Sequence, residues 1–257
     1  MDKIWLALAR ETGFAAENLA IGVATLGKAN YVQHAYYGQA FFALSIGMER
    51  SAKLALIIDY ALKNNGNFPQ NNVIKSYGHN LKKLLNKSDE IARRRGFKDR
   101  LPQENIHIAI INVLSEFASN ITRYYNFDIE AWFKSVTKPI LEKRYPLKQQ
   151  KKHKQNAELI HRLIGESSIV RLHSETGNEL NTIYDAALQT AKIDQAKPYT
   201  RMYVMQLFRF IAQLFTKLSY ASYDLKLETI PHMSDFFKIF NNDDQYFKTR
   251  KTWSIYL

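Results

Sequence analysis

Apolar side chains recur every three or four residues along most of this chain, the period at which one face of an α-helix presents its side chains. Phe41, Leu44, Met48, Ala52, Ala55 and Ile58 form one such series, and Ile106, Ile110, Val113, Leu114, Phe117 and Ile121 a second. A third runs through Met205, Phe208, Ile211, Leu214, Phe215 and Leu218. Between the first two, Val73, Ile74, Tyr77, Leu81, Leu84 and Leu85 predict a helix from about Gln70 to Arg93, Arg94 and Arg95, where cations and the following Gly96 suit a C-terminus.

Punctuation between these faces is sparse. The chain holds 10 glycines and 6 prolines in 257 residues, too few for a hairpin-rich fold. Gly38 is the expected break in the first helical region, and the turn-forming run from Asn64 to Pro69 is a clear stop. Pro102 followed by Glu104 reads as the start of a helix reaching about Tyr124. Pro146 ends the next helix inside a polar, lysine-rich stretch, so residues 143–155 read as an exposed basic loop or linker. Residues 156–170, 177–191 and 200–222 read as further helices. Phe236, Phe237, Phe240, Tyr246, Phe247, Trp253 and Tyr256 are too aromatic for a free tail, and are expected to cap the core or meet a partner. The resulting expectation is an all-α protein: a bundle over 1–142, the basic segment 143–155, and helices over 156–257 that pack on the same core.

Composition narrows what such a protein can do. With 46% hydrophobic residues it can bury a core, and with no cysteine it has no disulfide, thiolate zinc site, iron–sulfur cluster or cysteine nucleophile. No P-loop, dinucleotide-binding glycine pattern, His-Glu-x-x-His or Gly-x-Ser-x-Gly is present, so no cofactor and no metal are expected. The apolar stretch from Ala40 to Ile58 is broken by Glu49, Arg50 and Lys53, which predicts a core helix and no membrane insertion. The short N-terminal apolar run is interrupted by charge, and a cytoplasmic location is the expectation. The formal net charge of +12 attracts polyanions, RNA or another nucleic acid first among them.

Two short motifs carry candidate chemistry. Glu49 and Lys53 stand four residues apart with the acid N-terminal, the order that supports an ion pair on a helix. Gly78-His79-Asn80-Leu81 follows a polar loop. His79 is expected to be packed between the first two long helices, hydrogen-bonded to Glu49 or to nearby backbone, as a structural group. Glu49 with Lys53, and Gly78-His79-Asn80-Leu81 with Leu84, resemble the motifs of the HEPN superfamily over roughly residues 35–125. That resemblance implies an antiparallel helical bundle with additional C-terminal helices, a homodimer, and a role in bacterial stress or antiviral defence. Many HEPN proteins are metal-independent ribonucleases that use an arginine and, a few residues on, a histidine paired across a dimer. Arg100 and His107 have that spacing here, although Leu101 stands where the family has a polar residue. An arginine can stabilise charge on a phosphate while a histidine moves protons. Arg93, Arg94, Arg95 and Lys98, with Arg123 and Tyr124, are the candidate RNA-binding residues, combining phosphate contacts with base stacking. The alternative is a catalytically silent module of the same fold that binds a partner protein or a nucleotide.

Overall fold

The computed structural model describes residues 3–119, 127–165 and 172–255. Helices α1 (Lys3–Leu26) and α2 (Ala35–Lys63) form an antiparallel pair. Two glycines set how closely they cross. A Cβ on Gly22 would sit 2.7 Å from Leu44, and one on Gly47 would sit 2.7 Å from Leu19. Each leucine therefore fills the notch its partner helix leaves open, and the same contact is made twice. The break between the two helices lies at residues 27–34 rather than at Gly38, which is helical. Asn30 closes that turn by accepting from the backbone N–H groups of Val32 and Gln33, each at 2.9 Å.

The helix expected from Gln70 to Arg95 is two: α3 (Asn71–Ser76) and α4 (Leu81–Arg94). Gly78 divides them with a φ of +69°, a left-handed conformation that glycine adopts without strain. Asn80 then caps α4, its side chain accepting from the Lys83 N–H at 2.8 Å. Helix α5 (Asn105–Ala118) begins three residues after Pro102. It buries Ile110, Val113, Leu114 and Phe117 against α2 and α4. Ile121 and the expected end of that helix near Tyr124 lie outside the described residues. Helices α6 (Phe127–Trp132) and α7 (Lys138–Arg144) are joined by a π-turn, Phe133–Thr137. Trp132 comes within 5.0 Å of Phe41, which also meets Phe117 edge-on at 5.7 Å.

The basic segment is not a loop. Residues 147–164 form helix α8 (Leu147–Ile164), which rests on the next long helix with Ala157 buried and its lysines in solvent. Lysine and glutamine are good helix formers, so polarity alone did not mark a linker. Gly177, expected to open a helix, instead turns a two-stranded hairpin, β1 (Leu172–His173) and β2 (Glu179–Leu180). Glu175 in that turn is buried and accepts from Gln189 at 2.6 Å. The Tyr37 hydroxyl is near enough to feel it, its pKa pushed up by burial and by the Glu175 charge.

Helix α9 (Ile183–Asp224) is the spine of the molecule, 42 residues long with Pro198 inside it. Its second half is buried through Val204, Met205, Phe208, Ile211, Leu214 and Phe215 against α1, α2 and α5. The aromatic tail folds back on it. Helix α10 (Ser234–Phe237) stacks Phe237 on Phe215 at 4.7 Å, a 3₁₀ turn sets Phe240 against Phe208, and α11 (Asp244–Thr249) buries Phe247. Among the described residues the protein is thus all-α apart from one hairpin, and its aromatic tail caps the core. Among the described residues no helix is long and apolar enough to cross a membrane.

Candidate functional site

Three of the motif residues come together. Glu49 on α2 accepts from Lys53 Nζ at 2.9 Å and lies 2.9 Å from Nδ1 of His79. The left-handed turn at Gly78 brings His79 back to α2 one residue before the Asn80 cap. Burial differs from expectation, because the His79 side chain is 83% exposed while that of Glu49 is 21% exposed. A ring that follows a turn and precedes a helix cap has no second helix to cover it. A carboxylate only accepts, so Nδ1 carries its hydrogen toward Glu49, with Lys53 Nζ 3.5 Å from the same nitrogen.

These residues edge a cleft of about 560 Å³, a volume in the range of small-molecule sites. Glu49, His79 and Asn80 line one side, with Phe42, Ser45 and Ile46 from α2 and Ser115, Glu116 and Phe117 from α5 completing it. Two of its serines are already engaged. Ser45 donates to the Leu114 carbonyl at 3.1 Å, and Ser115 to that of Ile111 at 2.6 Å. The arrangement offers a carboxylate-oriented imidazole at the rim of a mixed polar and aromatic cavity.

From that rim a basic surface runs along α4. Leu81, Leu84, Leu85 and Ile91 face inward, so Lys82, Lys83, Arg93 and Arg94 are exposed on the opposite face and Lys87 is half-exposed over the Tyr77 ring. Sequence reading singled out the arginines and passed over the lysines. Their place opposite the leucines of the same helix was the signal. At the far end Asp59, 5% exposed, is shared by Arg94 at 2.6 Å, Arg95 at 2.7 Å and Lys63 at 2.8 Å. One carboxylate cannot neutralise three cations, so the cluster is positioned without losing its charge. Lys98 is exposed just beyond it, whereas Arg123 and Tyr124 lie outside the described residues.

Arg100 and His107 are not presented together. Arg100 grips Asp89 through two hydrogen bonds, Nε to Oδ1 at 2.8 Å and Nη2 to Oδ2 at 2.5 Å, and Asp89 also accepts from the Leu101 N–H. Burial works to raise the Asp89 pKa, but these hydrogen bonds and the charges of Arg100 and Arg93 bring it below the usual carboxylate value. His107 is 1% exposed, with Nε2 donating to Gln206 Oε1 at 2.7 Å and the ring edge-on to Tyr203. Gln206 passes the connection to Asp244 at 3.0 Å, which pairs with Arg209. Burial pushes the His107 pKa down against the opposing effect of the Gln206 bond, so the ring is neutral. It ties α5 to α9 and α11 from inside the core.

No protein-family model matches the sequence, and no curated protein or solved structure matches it.

Proposed function

We propose that this chain is a HEPN-like RNA-binding protein, acting in the stress or antiviral setting that the resemblance implies, and that Arg100 and His107 are not a cleavage pair in it. The observation that carries the proposal is the outer face of α4. From Lys82 to Arg100 the chain has eight basic side chains against three acidic ones, and the inward leucines turn most of the basic ones to solvent. At about 1.5 Å per residue, the 14 residues of α4 give a basic edge roughly 20 Å long. It begins at the His79 cleft and ends at the Asp59-anchored arginines. A single strand laid along it would meet phosphate-binding cations in sequence and a cavity with Phe42 and Phe117 for a base.

The test is fluorescence anisotropy of a labelled single-stranded RNA over a salt series. Each phosphate neutralised contributes about −0.7 to the slope of log K against log salt. Replacing Lys82, Lys83, Lys87 and Arg93 with Gln should flatten that slope by roughly 3 units. A slope unchanged by the quadruple variant would remove α4 from the binding surface. RNA cleavage by the wild type that vanishes in a folded Arg100→Gln variant would overturn the second half of the proposal.

The notion of a silent module for a partner protein or nucleotide has one observation in its favour, the buried neutral His107. Saturable mononucleotide binding lost in Phe42→Ala, with no RNA binding by the wild type, would select it.

A further inference from the structure

The two ends of α9 carry surfaces of opposite character. At its N-terminal end lies α8. Lys148, Lys152, Leu159 and Leu163 are spaced by four, seven and four residues and so share one helix face, and that face points away from α9. Leu159 is 56% and Leu163 77% exposed, and Lys148, Lys151, Lys152 and Lys154 are all in solvent, with Glu158 the one acid of the helix. At the C-terminal end of α9 an open groove of about 740 Å³ is lined by Trp5, Tyr223, Leu227, Ile230 and Pro231. Asp224 and Glu228 also line it, both exposed, with Asp235 exposed nearby, and Lys226 and His232 are the basic residues of its lining. Tyr223 is 72% exposed and the neighbouring Leu225 54%. In a chain with a net charge of +12, an acidic apolar groove is the exception, and its complement is the basic apolar helix α8.

We propose that α8 of one copy of this chain docks in the groove at the end of α9 of a second copy. The two patches cannot meet within one molecule, because the 42 residues of α9 span roughly 60 Å between them. Leucines 159 and 163 enter between Trp5, Tyr223 and Ile230, while the lysines of α8 face Asp224 and Glu228. Two different patches make the contact, so it is heterologous. Each joined pair keeps one free helix and one free groove, and association continues into a ring or an open chain. It is distinct from the two-fold dimer implied by the HEPN resemblance, which would use one surface twice.

Sedimentation velocity of the full chain at rising concentration and rising salt tests this. The wild type should form species beyond the dimer, and these should recede as salt screens the lysine–carboxylate pairs. Two double variants block one end each: Leu159→Glu with Leu163→Glu, and Asp224→Lys with Glu228→Lys. All four positions are exposed, so circular dichroism should match the wild type. Each variant alone should be monomeric, and the two mixed should give a 1:1 dimer that grows no further. The proposal is overturned by a wild type that stays monomeric, by a dimer that neither variant disturbs, or by a mixture that fails to pair. It is overturned equally if Lys148→Gln, Lys151→Gln and Lys152→Gln together abolish RNA binding while the groove variant leaves assembly unchanged, since α8 would then belong to the nucleic acid.

Discussion

The rim of the cleft and the junction of α5, α9 and α11 each contain a histidine hydrogen-bonded to a neighbouring side chain, and they differ in almost everything else. His79 keeps a 2.9 Å contact to Glu49 with its ring in water. His107 keeps a 2.7 Å contact to Gln206 with its ring in the core. From the sequence, His79 was expected to be the packed residue and His107 the candidate catalyst. The structure exchanges their surroundings. A hydrogen-bond partner is a local matter that spacing on adjacent helices can reveal. Burial depends on which distant element arrives to cover the residue, and for His107 its partner on that element, Gln206 of α9, lies 99 residues later.

Substitutions should separate the two sites by energy. His107→Ala should lower stability by about 2–4 kcal/mol, combining an unpaired buried amide oxygen on Gln206 with a cavity. Urea denaturation with an unchanged m-value measures it, and a loss below about 0.5 kcal/mol would make His107 a surface group after all.

Acid should act on the same site. The unfolded ring takes up a proton near pH 6.5, whereas the folded ring, its pKa lowered chiefly by burial, takes one up only at lower pH. Below about 6.5 the unfolded state therefore binds more protons, and stability falls with pH by up to about 1.4 kcal/mol per unit until the folded pKa is reached. His107→Gln should flatten the curve in that window. Parallel curves for variant and wild type would show that His107 does not carry the effect.

At the cleft the effects shrink. Asn80→Ala removes the cap of α4 and should cost about 1 kcal/mol, read as a lower melting temperature. His79→Ala should change stability by no more than about 0.5 kcal/mol, as an exposed residue does. A loss comparable to that of His107→Ala would return His79 to the interior role that spacing assigned it.

Much of the fold was legible because helical periodicity is written in neighbouring residues. The series through Met48, Leu114 and Phe208 faces the core as expected, and the aromatic tail covers it. Breaks were harder. Gly38 looked like a helix end but sits in α2 with open space around it, so nothing there penalises or requires a glycine. Gly78, by contrast, adopts a positive φ that only the folded turn displays. The lysine-rich segment 143–155 was misread because high charge marks solvent exposure, which a surface helix shares with a loop. At the site, the Glu49–Lys53–His79 grouping could be read from spacing, whereas Arg93 to Arg95 gave only part of the basic face. Asp59, which fixes Arg94 and Arg95, lies 35 residues before them and had no local mark.

The reciprocal notches of Gly22 and Gly47 bear on the order in which the molecule forms. They join segments separated by one short turn, so closing that loop costs little entropy, and the pair can assemble before the tail arrives. The α1–α2 pair is thus the expected folding nucleus, with φ-values near 1 for Leu19→Ala and Leu44→Ala and near 0 for Phe237→Ala in stopped-flow refolding. The reverse ranking would place the nucleus at α9 and its aromatic cap. With the expected ranking, replacing either glycine should slow folding while leaving the rate of unfolding nearly unchanged.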